Sequence, residues 1–426
     1  MLERLSRVLW GAPTVILFLS TGLYFSLKTG FYQCFRAGTW WRETAGRILR
    51  PQAQGTGLTP LETLSTALAA TIGTGSIAGV ATAISGGGAG ALFWMWVSGV
   101  LAMMTGWAEK VLSIALRKKT AQGWTGGPCL WLREKGCLFL ARMFALCTVL
   151  ASLGMGDLVQ THSMAQAAAH VWGVPAPAVG IASAAVTAVI LSGGLKRLGQ
   201  VSSALVPVMS LLYLAGGFWV IAAHASRLPS VLGAIISSAL SRQAIATGGA
   251  AAALQYGLAR GVISNEAGLG STPMVHCQSA NTHPAQEGNW GIFEVFFSTM
   301  VICTVTGLAI LTSGASGGGS AQTAAAFSTV LGGWGEGLIA LCLLLFGGSS
   351  LLGWSWYGAS ALRELAGERW VALYYALFLL LAVLGSGMKS ETVWLFSDCC
   401  NALMAWPSLL SLWLWRREIL AWGRGR

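Results

Sequence analysis

Charged residues are scarce in this sequence. Asp, Glu, Lys and Arg make up 10% of its 426 residues, whereas soluble globular proteins carry roughly 25%. So few charges cannot cover the surface of a water-soluble chain of this length, and the 54% of hydrophobic residues excludes intrinsic disorder. The composition therefore predicts a polytopic membrane protein.

Signatures of metal sites, disulfides and enzymes are also missing. The nine Cys form no CxxC pair and most lie in apolar runs, so we interpret them as buried thiols. The five His show no HExxH spacing, and the few acids are dispersed along different predicted spans. These absences argue against a membrane enzyme, and we expect no organic cofactor. Residues 11–27 lack a convincing cleavage site, so we expect no cleavable signal peptide.

Eleven stretches have the length and apolar composition of a membrane-spanning helix, which needs about 20 largely apolar residues. The glycine count of 56 is ordinary for helices packed in a membrane, because small residues let backbones approach closely. One stretch, 245–285, is too long and too rich in glycine for a single straight helix. The predicted spans are residues 7–27, 60–84, 89–117, 139–170, 175–192, 201–223, 245–285, 289–313, 333–364, 369–384 and 390–416.

Lys and Arg are divided unevenly between the two sides of the predicted membrane. If the N-terminus lies outside, the cytoplasmic segments hold 19 of the 26 basic residues and the outside segments hold five, with Lys110 and Arg260 inside spans. Because cytoplasmic loops are enriched in Lys and Arg, we predict an outside N-terminus and a cytoplasmic C-terminus. The net charge of +11 then follows from topology, and we expect no nucleic-acid partner. The cytoplasmic segments are 28–59, 117–142, 193–200, 363–369 and 416–426.

A short glycine motif occurs twice. Gly73-Thr74-Gly75-Ser76 lies in the second span and Gly268-Leu269-Gly270-Ser271 in the seventh, each in the first helix of a five-helix block. Because five is odd, the two blocks insert with opposite orientation, and such paired glycine-interrupted helices indicate the binding site of a secondary transporter. The predicted organisation is 1–59 (an extra helix and a basic cytoplasmic linker), 60–223 (first repeat), 224–416 (second repeat with an extracellular lead-in) and 417–426 (a basic cytoplasmic tail).

An interrupted helix at membrane depth suits a zwitterion that travels with a cation. Unpaired backbone groups cost several kcal/mol each in lipid unless a polar ligand occupies them. A half-helix N-terminus attracts a carboxylate, and freed carbonyls hold a cation. A single glycine motif is more often a packing face, and mutual pairing is the simpler interpretation of the adjacent Glu109 and Lys110. The second motif favours a functional site, as do four polar residues within spans, namely Asp157, Gln160, Asn265 and Glu266.

The residues around both motifs resemble a known family. IGTGSIAGVATAISGGGAGALFWMW (72–96), RGVISNEAGLGSTP (260–273) and HPAQEG (283–288) are similar to the alanine or glycine:cation symporters of prokaryotes. The resemblance implies an all-α, leucine-transporter-like fold with eleven transmembrane helices. One extra N-terminal helix precedes two inverted five-helix repeats, which contain two broken helices. It also implies sodium-coupled uptake of alanine, glycine or similar small neutral amino acids by alternating access across a bacterial or archaeal plasma membrane, with no obligatory protein partner.

The same resemblance implies a set of site residues. The backbone N–H groups around Thr74 and Gly75 would hold the substrate carboxylate, and an unwound stretch from Ile263 to Ser271 would meet the amino group and side chain. Gln160 would hydrogen-bond the substrate, and Trp354, rather than Trp356, would close the pocket. The implied substrate residues are Thr74, Gly75, Ser76, Gln160, Ile263, Gly268, Gly270 and Trp354. The implied sodium ligands are the carbonyls of Ala69 and Ile72 and the hydroxyls of Ser349 and Ser350.

Three departures from the family pattern keep alternatives open. Ser76 stands where the family usually has Asn, and Ile263 stands where it usually has Phe, so a substrate other than alanine is one hypothesis. Asp157 stands where an uncharged residue is common, so a proton-coupled variant using Asp157 or Glu266 is another. A channel or a transport-inactive amino-acid sensor is the third. The preferred amino acid and its enantiomer, the ion stoichiometry and the oligomeric state remain open at this stage.

Overall fold

The computed structural model describes residues 2–48, 57–120 and 123–424. Arg50 and the rest of 49–56, part of the predicted basic linker, lie outside the described residues, as does Arg426 of the predicted tail. The described chain is almost entirely helical, which confirms the predicted helical class.

Helices are numbered along the chain. The first half contains α1 (Leu2–Leu9), α2 (Ala12–Lys28), α3 (Tyr32–Phe35), α4 (Ala37–Glu43), α5 (Pro60–Thr71), α6 (Ala78–Gly87), α7 (Gly90–Ala115), α8 (Pro128–Glu134), α9 (Leu138–Leu153), α10 (Val159–Trp172), α11 (Ala176–Leu191) and α12 (Gly194–Ala223). The second half contains α13 (Leu228–Leu240), α14 (Arg242–Ala246), α15 (Gly249–Asn265), α16 (Pro273–His276), α17 (Pro284–Val295), α18 (Thr304–Ser313), α19 (Gly319–Leu331), α20 (Gly333–Ala366), α21 (Val371–Gly385), α22 (Ser390–Leu414) and α23 (Arg416–Gly423).

Shorter elements join these helices. Two π-helical segments join consecutive helices. Gly154–Leu158 joins α9 to α10, and Phe296–Cys303 joins α17 to α18. The 3₁₀ segments are Ala45–Arg47, Thr74–Ser76, Ala225–Arg227 and Glu368–Trp370. Two short strands, β1 (Lys118–Thr120) and β2 (Gly123–Thr125), pair antiparallel with Lys119 opposite Trp124.

Among the described residues, six helices are long and apolar enough to cross a membrane, and one bent pair makes a seventh span. The bent pair is α5 with the segment Thr74–Gly87. The other four predicted spans coincide with helices that differ from a plain span in length, continuity or polarity. Two of them, α2 and α11, have only 17 and 16 residues. The remaining two are α15, which is followed by a break, and α22, which carries Glu391 and Asp398.

The first break falls between α5 and α6. A capping box between Thr59 and Glu62, with Pro60 at the first helical position, starts α5. The helix ends at Thr71, because Ile72 (φ −85°, ψ 73°) and Gly73 (φ −101°, ψ −163°) leave the helical region, and the axis turns by 63°. Both broken ends are buried.

The second break follows α15. Helix α15 continues through Asn265, and Glu266 (φ 53°), Gly268 (φ 90°) and Gly270 (φ 79°) then adopt positive φ before α16 begins at Pro273. The predicted unwound stretch from Ile263 therefore begins three residues too early. Ile263 is helical, because the left-handed backbone that ends the helix starts only at Glu266.

Small residues bring the helices of the core into backbone contact. A Cβ at Gly291 of α17 would overlap the carbonyl of Gly106 on α7, and one at Gly257 of α15 would overlap the carbonyl of Ala91 on α7. Helix α7 thus packs directly on both α15 and α17. This arrangement holds the second break beside α7.

Candidate functional site

The C-terminal end of α5 directs its last carbonyls at two serines of α20. Ser349 Oγ lies 3.1 Å from the Ala69 carbonyl oxygen, and Ser350 Oγ lies 3.0 Å from the same oxygen and 3.1 Å from that of Ala70. The last carbonyls of a helix lack partners within it, so these oxygens are free for other donors or for a cation. Three of the four predicted sodium ligands, Ala69, Ser349 and Ser350, therefore lie close together. The carbonyl of Ala70 lies beside them. The fourth, Ile72, lies at the break, and neither serine bonds to its carbonyl.

Polar groups on the other side of this break lack partners. The Thr74 hydroxyl is fully buried and forms no hydrogen bond. The N–H of Gly75 forms no hydrogen bond with any described residue. The Thr74 N–H donates to Gln160 Oε1 at 3.1 Å, and Gln160 Nε2 donates to the Met155 carbonyl at 3.0 Å. The Thr74 hydroxyl and the Gly75 N–H are thus available to bind an anionic group. The Gln160 amide, which bonds to the backbone at the break, lies next to them.

The two broken helices meet around Gly75 and Ser76. A Cβ at Gly75 would have only Ile263 Cγ2 nearby, at 3.9 Å, so Ile263 faces the open side of the glycine. The hydroxyls of Ser76 and Ser264 lie 3.0 Å apart and join the two helices. At Gly73, by contrast, a Cβ would lie 2.5 Å from Ser350 Oγ. Glycine is required at position 73 for close approach, whereas at position 75 it leaves space.

Gly268 and Gly270 do not face this space. Their N–H groups donate to one oxygen, Glu109 Oε1, at 3.0 and 3.1 Å. Their open sides pack against side chains of other elements, including Leu409 and Pro128. The N–H groups of these two glycines are therefore occupied by the Glu109 carboxylate. They do not make the substrate contact that the sequence predicts.

A network of buried charges surrounds this turn. Lys110 Nζ lies 2.9 Å from Glu294 Oε2, 2.6 Å from Thr272 Oγ1 and 3.7 Å from Glu109 Oε2. Glu294 also accepts a hydrogen bond from the hydroxyl of Thr71 at 3.2 Å. The main ionic partner of Lys110 is thus Glu294 rather than its neighbour in sequence. Sequence reasoning noted the pair but missed Glu294, whose only signal was its charge within a predicted span.

His276 extends the network. Its Nε2 lies 3.4 Å from Glu294 Oε2, and its Nδ1 lies 2.6 Å from Glu287 Oε1. All three side chains are essentially unexposed. The network thereby runs from the end of α5 through α17 to α16, and it reaches both broken helices.

Trp354 and Glu266 form a buried pair at the second break. The Trp354 indole N–H donates to Glu266 Oε1 at 3.0 Å, and the Ser271 hydroxyl donates to Glu266 Oε2 at 2.5 Å. Arg260, six residues before Glu266, does not pair with it but forms a double hydrogen bond with Asp398 at 3.1 and 3.0 Å. The aromatic that was predicted to close the pocket is therefore fixed to the unwound segment.

A cavity of about 540 Å³ opens beyond the second break. Met274, Cys277 and Gln278, which follow the break, line one wall, and Trp356 lines another. The rest of the wall comes from three segments of the chain, residues 120–144, 191–198 and 360–375. Trp356 therefore belongs to the cavity, whereas Trp354 belongs to the break.

The chain matches the model of the sodium:alanine symporter family over residues 1–422. It belongs to this family. It is 34% identical to the sodium/alanine symporter AgcS of Methanococcus maripaludis over 427 residues, which cover 97% of this chain and 94% of AgcS. It is 33% identical to the probable sodium/glutamine symporter GlnT of Bacillus subtilis over 418 residues, which cover 96% and 86% of the two chains.

Solved structures show the same fold as this symporter-family chain. The crystal structure of MhsT in complex with L-phenylalanine gives a TM-score of 0.62 at 12% identity, covering 87% of this chain and 93% of MhsT. The fold is therefore leucine-transporter-like. Because the family and its relatives are membrane transporters, the chain is a transport protein and not an enzyme.

Proposed function

We propose that this protein is a sodium-coupled symporter that brings small neutral amino acids into the cell. One observation carries the proposal: a single helix break presents carbonyls that bond only to serine hydroxyls of another helix on one side, and an unpaired hydroxyl and N–H on the other. The carbonyls of Ala69 and Ala70 meet the serine hydroxyls of α20, while Thr74 Oγ1 and the Gly75 N–H lack partners. A cation and a carboxylate therefore bind to opposite ends of the same interruption.

Sodium binds between α5 and α20 in this proposal. Its ligands are the carbonyls of Ala69 and Ile72 and the hydroxyls of Ser349 and Ser350. Oxygen atoms of this kind suit a hard alkali cation. Each serine hydroxyl has lone pairs to offer a cation once its proton points to another acceptor, such as the Phe346 carbonyl, 2.9 Å from Ser349 Oγ.

The amino acid binds across the break, with its carboxylate on Thr74 and Gly75 and within reach of the Gln160 amide. Its side chain points towards Ile263, whose distance from Gly75 leaves room for a small apolar group. Ser76 joins the two helices beneath it, and Trp354 closes the site through its bond to Glu266. Gly268 and Gly270 act indirectly, through the turn that holds Glu266.

The architecture that we propose has eleven spans, of which the last ten form two inverted repeats of five, with the N-terminus outside. The two breaks, in α5–α6 and α15–α16, support the repeat. The cavity is consistent with this orientation, because 11 of its 20 lining residues come from the predicted cytoplasmic segments 117–142, 193–200 and 363–369. We infer that this conformation opens towards the cytoplasm and alternates with one that opens outside.

Coupling follows from the shared break. Sodium and substrate each stabilise the same geometry of residues 69–76, so each raises the affinity for the other. A membrane potential of about 100 mV contributes roughly 2.3 kcal/mol per charge. At about 1.4 kcal/mol per tenfold, one sodium ion driven by the potential alone sustains roughly a 40-fold amino-acid gradient.

Uptake of labelled L-alanine into proteoliposomes tests the proposal. We expect stimulation by an inward sodium gradient, and none by a matched potassium gradient or by a proton gradient in the absence of sodium. Gly75→Leu should abolish uptake and leave the protein folded, because the new side chain extends into the space beside Ile263. Gly233→Leu is the matched control, since a Cβ at this exposed position meets nothing within 4 Å.

Two results would contradict the proposal. Equal uptake in sodium and potassium gradients would show that sodium is not the coupling ion. Normal alanine affinity in Gly75→Leu would show that the substrate carboxylate does not bind at Gly75. Uptake of another small amino acid in place of alanine would instead assign the altered specificity to Ile263 and Ser76.

A further inference from the structure

A second carboxylate lies buried outside the site described above. Asp157 belongs to the π-helical turn Gly154–Leu158 between α9 and α10. Its side chain is fully buried, and neither carboxylate oxygen has a hydrogen-bond partner in the described part of the chain. It therefore differs from Glu109, Glu266 and Glu294, each of which accepts at least one hydrogen bond.

Five helices surround this turn: α9, α10, α20, α21 and α22. None of them supplies a cation to Asp157, whose oxygens have no partner. Tyr374 of α21 interacts with it electrostatically, but the Tyr374 hydroxyl is 2.8 Å from Ser152 Oγ. The charged and titratable groups on these helices are Arg142, Cys147, His162, His170, Glu336, Cys342, Tyr357, Arg363, Glu364, Tyr374, Tyr375, Glu391, Asp398, Cys399 and Cys400.

An ionised carboxylate in such a place needs donors or a metal ion. Within the described residues no group of three or more His, Cys, Asp or Glu side chains is arranged to hold a metal. Without a donor, the charged form is strongly disfavoured in a membrane interior, whereas the protonated acid is neutral and itself a hydrogen-bond donor. Geometry and burial therefore favour a bound proton on Asp157.

The turn also connects Asp157 to moving parts of the proposed site. Gly156 packs so closely on Trp354 that a Cβ at position 156 would overlap the tryptophan side chain. Trp354 in turn bonds to Glu266 in the second break. A single π-helical turn within an α-helix frequently marks a functional position, because its backbone rearranges easily. Movement of Trp354 would therefore change the surroundings of Asp157.

His162 provides a second titratable group on the same helix. The residue is 3% exposed, and the backbone of Met388 lies within hydrogen-bonding range of its ring. Five residues of helix place it about 7.5 Å further along α10, towards the end that we predict to lie outside. It is suitably located to pass a proton between Asp157 and that side of the membrane.

We propose that Asp157 is a proton-binding site, separate from the sodium site, that holds a proton in this conformation and exchanges it during transport. Binding forms the neutral carboxylic acid, and release returns the proton to water and leaves the carboxylate. The exchange rests on the proposed transport function, whereas the bound proton does not. The two parts are therefore tested by different measurements.

Infrared spectroscopy of the purified protein tests the bound proton. The wild-type spectrum minus that of Asp157→Asn should contain the C=O stretching band of a protonated carboxylic acid. Glu391→Gln, the same change at an exposed acid of α22, should leave this band unchanged. If Asp157→Asn does not fold, Asp157→Glu should shift the band. Absence of any difference in this band would overturn the proposal, whether or not the protein transports alanine.

A pH indicator trapped in proteoliposomes tests the exchange. Sodium-driven alanine uptake by the wild type should change the internal pH, and Asp157→Asn should lose this change along with the pH dependence of uptake. An unaltered pH signal in Asp157→Asn would overturn the exchange. An infrared band that depends on Asp157, without alanine uptake by the wild type, would uphold the proton site and contradict the proposed function.

Discussion

Two serine hydroxyls on α20 share the carbonyl oxygen of Ala69. An isolated pair of serines in an apolar helix is more often a packing feature, and the sequence pattern alone did not separate the two roles. The structure adds that both hydroxyls point at the end of a broken helix, where they donate to the carbonyl oxygens of Ala69 and Ala70. The convergence of three oxygen-bearing residues is what makes Ser349 and Ser350 candidates for an ion site.

Replacement of both hydroxyls by Ser349→Ala and Ser350→Ala should raise the sodium concentration that gives half-maximal uptake. We expect about a tenfold increase, equivalent to about 1.4 kcal/mol of lost sodium binding. The measurement is alanine uptake into proteoliposomes at a series of sodium concentrations. Thr at both positions, which keeps the hydroxyls, should restore the wild-type value.

Ser355→Ala on the same helix is the control for this prediction. The Ser355 hydroxyl is equally buried, but it bonds only to the carbonyl of Leu352 within its own helix, at 2.8 Å. An unchanged sodium dependence in the double variant would show that the ion binds elsewhere.

At the scale of elements, both broken helices are tied to the same buried ion pair. Glu294 on α17 accepts a hydrogen bond from Thr71 at the end of α5, and Lys110 on α7 reaches Thr272 before α16. Lys110 Nζ lies 2.9 Å from Glu294 Oε2, so this ion pair links the two broken helices. Glycine spacing in the sequence indicated where the helices break, but the groups that hold the breaks come from elements far away in the chain.

Lys110→Met should destabilise the protein by about 3–5 kcal/mol, because it removes the main cationic partner of the buried Glu294. Glu294→Gln should also destabilise it, and the double variant should be more stable than Lys110→Met alone. Thermal unfolding of the purified proteins in detergent measures all three. Strictly additive effects would contradict a direct pairing.

The exposed pair Lys118 and Glu134 is the matched control for this cycle. Its two side chains are 58% and 37% exposed, so solvent screens their interaction. The corresponding changes, Lys118→Met and Glu134→Gln, should alter stability by less than about 1 kcal/mol.

At the scale of the whole molecule, the orientation in the membrane decides which side the cavity serves. The distribution of Lys and Arg predicts an outside N-terminus, and 11 of the 20 residues that line the cavity lie in segments that this rule assigns to the cytoplasm. The direction in which the cavity faces therefore depends on this assignment of the loops. With an outside N-terminus, we expect the cavity to open towards the cytoplasm in this conformation.

Labelling of introduced cysteines tests this orientation. In a Cys34→Ser background, Lys119→Cys should react with a membrane-impermeant maleimide only after the cells are permeabilised. Ser316→Cys should react in intact cells. Both positions are exposed in the structure, so their reactivity reports sidedness. Reaction of Lys119→Cys in intact cells would show that the orientation is the opposite of the one proposed.

The sequence by itself determined the properties that depend on local composition and spacing. Scarce charge and apolar runs indicated a polytopic helical protein, and GTGS at 73–76 and GLGS at 268–271 located both helix breaks to within a few residues. These predictions succeeded because helix formation in lipid is decided largely within each segment. The sequence motifs around both breaks also made the family resemblance specific.

Only the tertiary structure decided which groups face one another. Glu109 proved to hold the N–H groups of Gly268 and Gly270, and Arg260 proved to pair with Asp398 rather than with Glu266. The Asp157 carboxylate proved to have no hydrogen-bond partner among the described residues. These contacts join residues up to 161 positions apart. They depend on how whole helices pack, and no local pattern of residues contains that information.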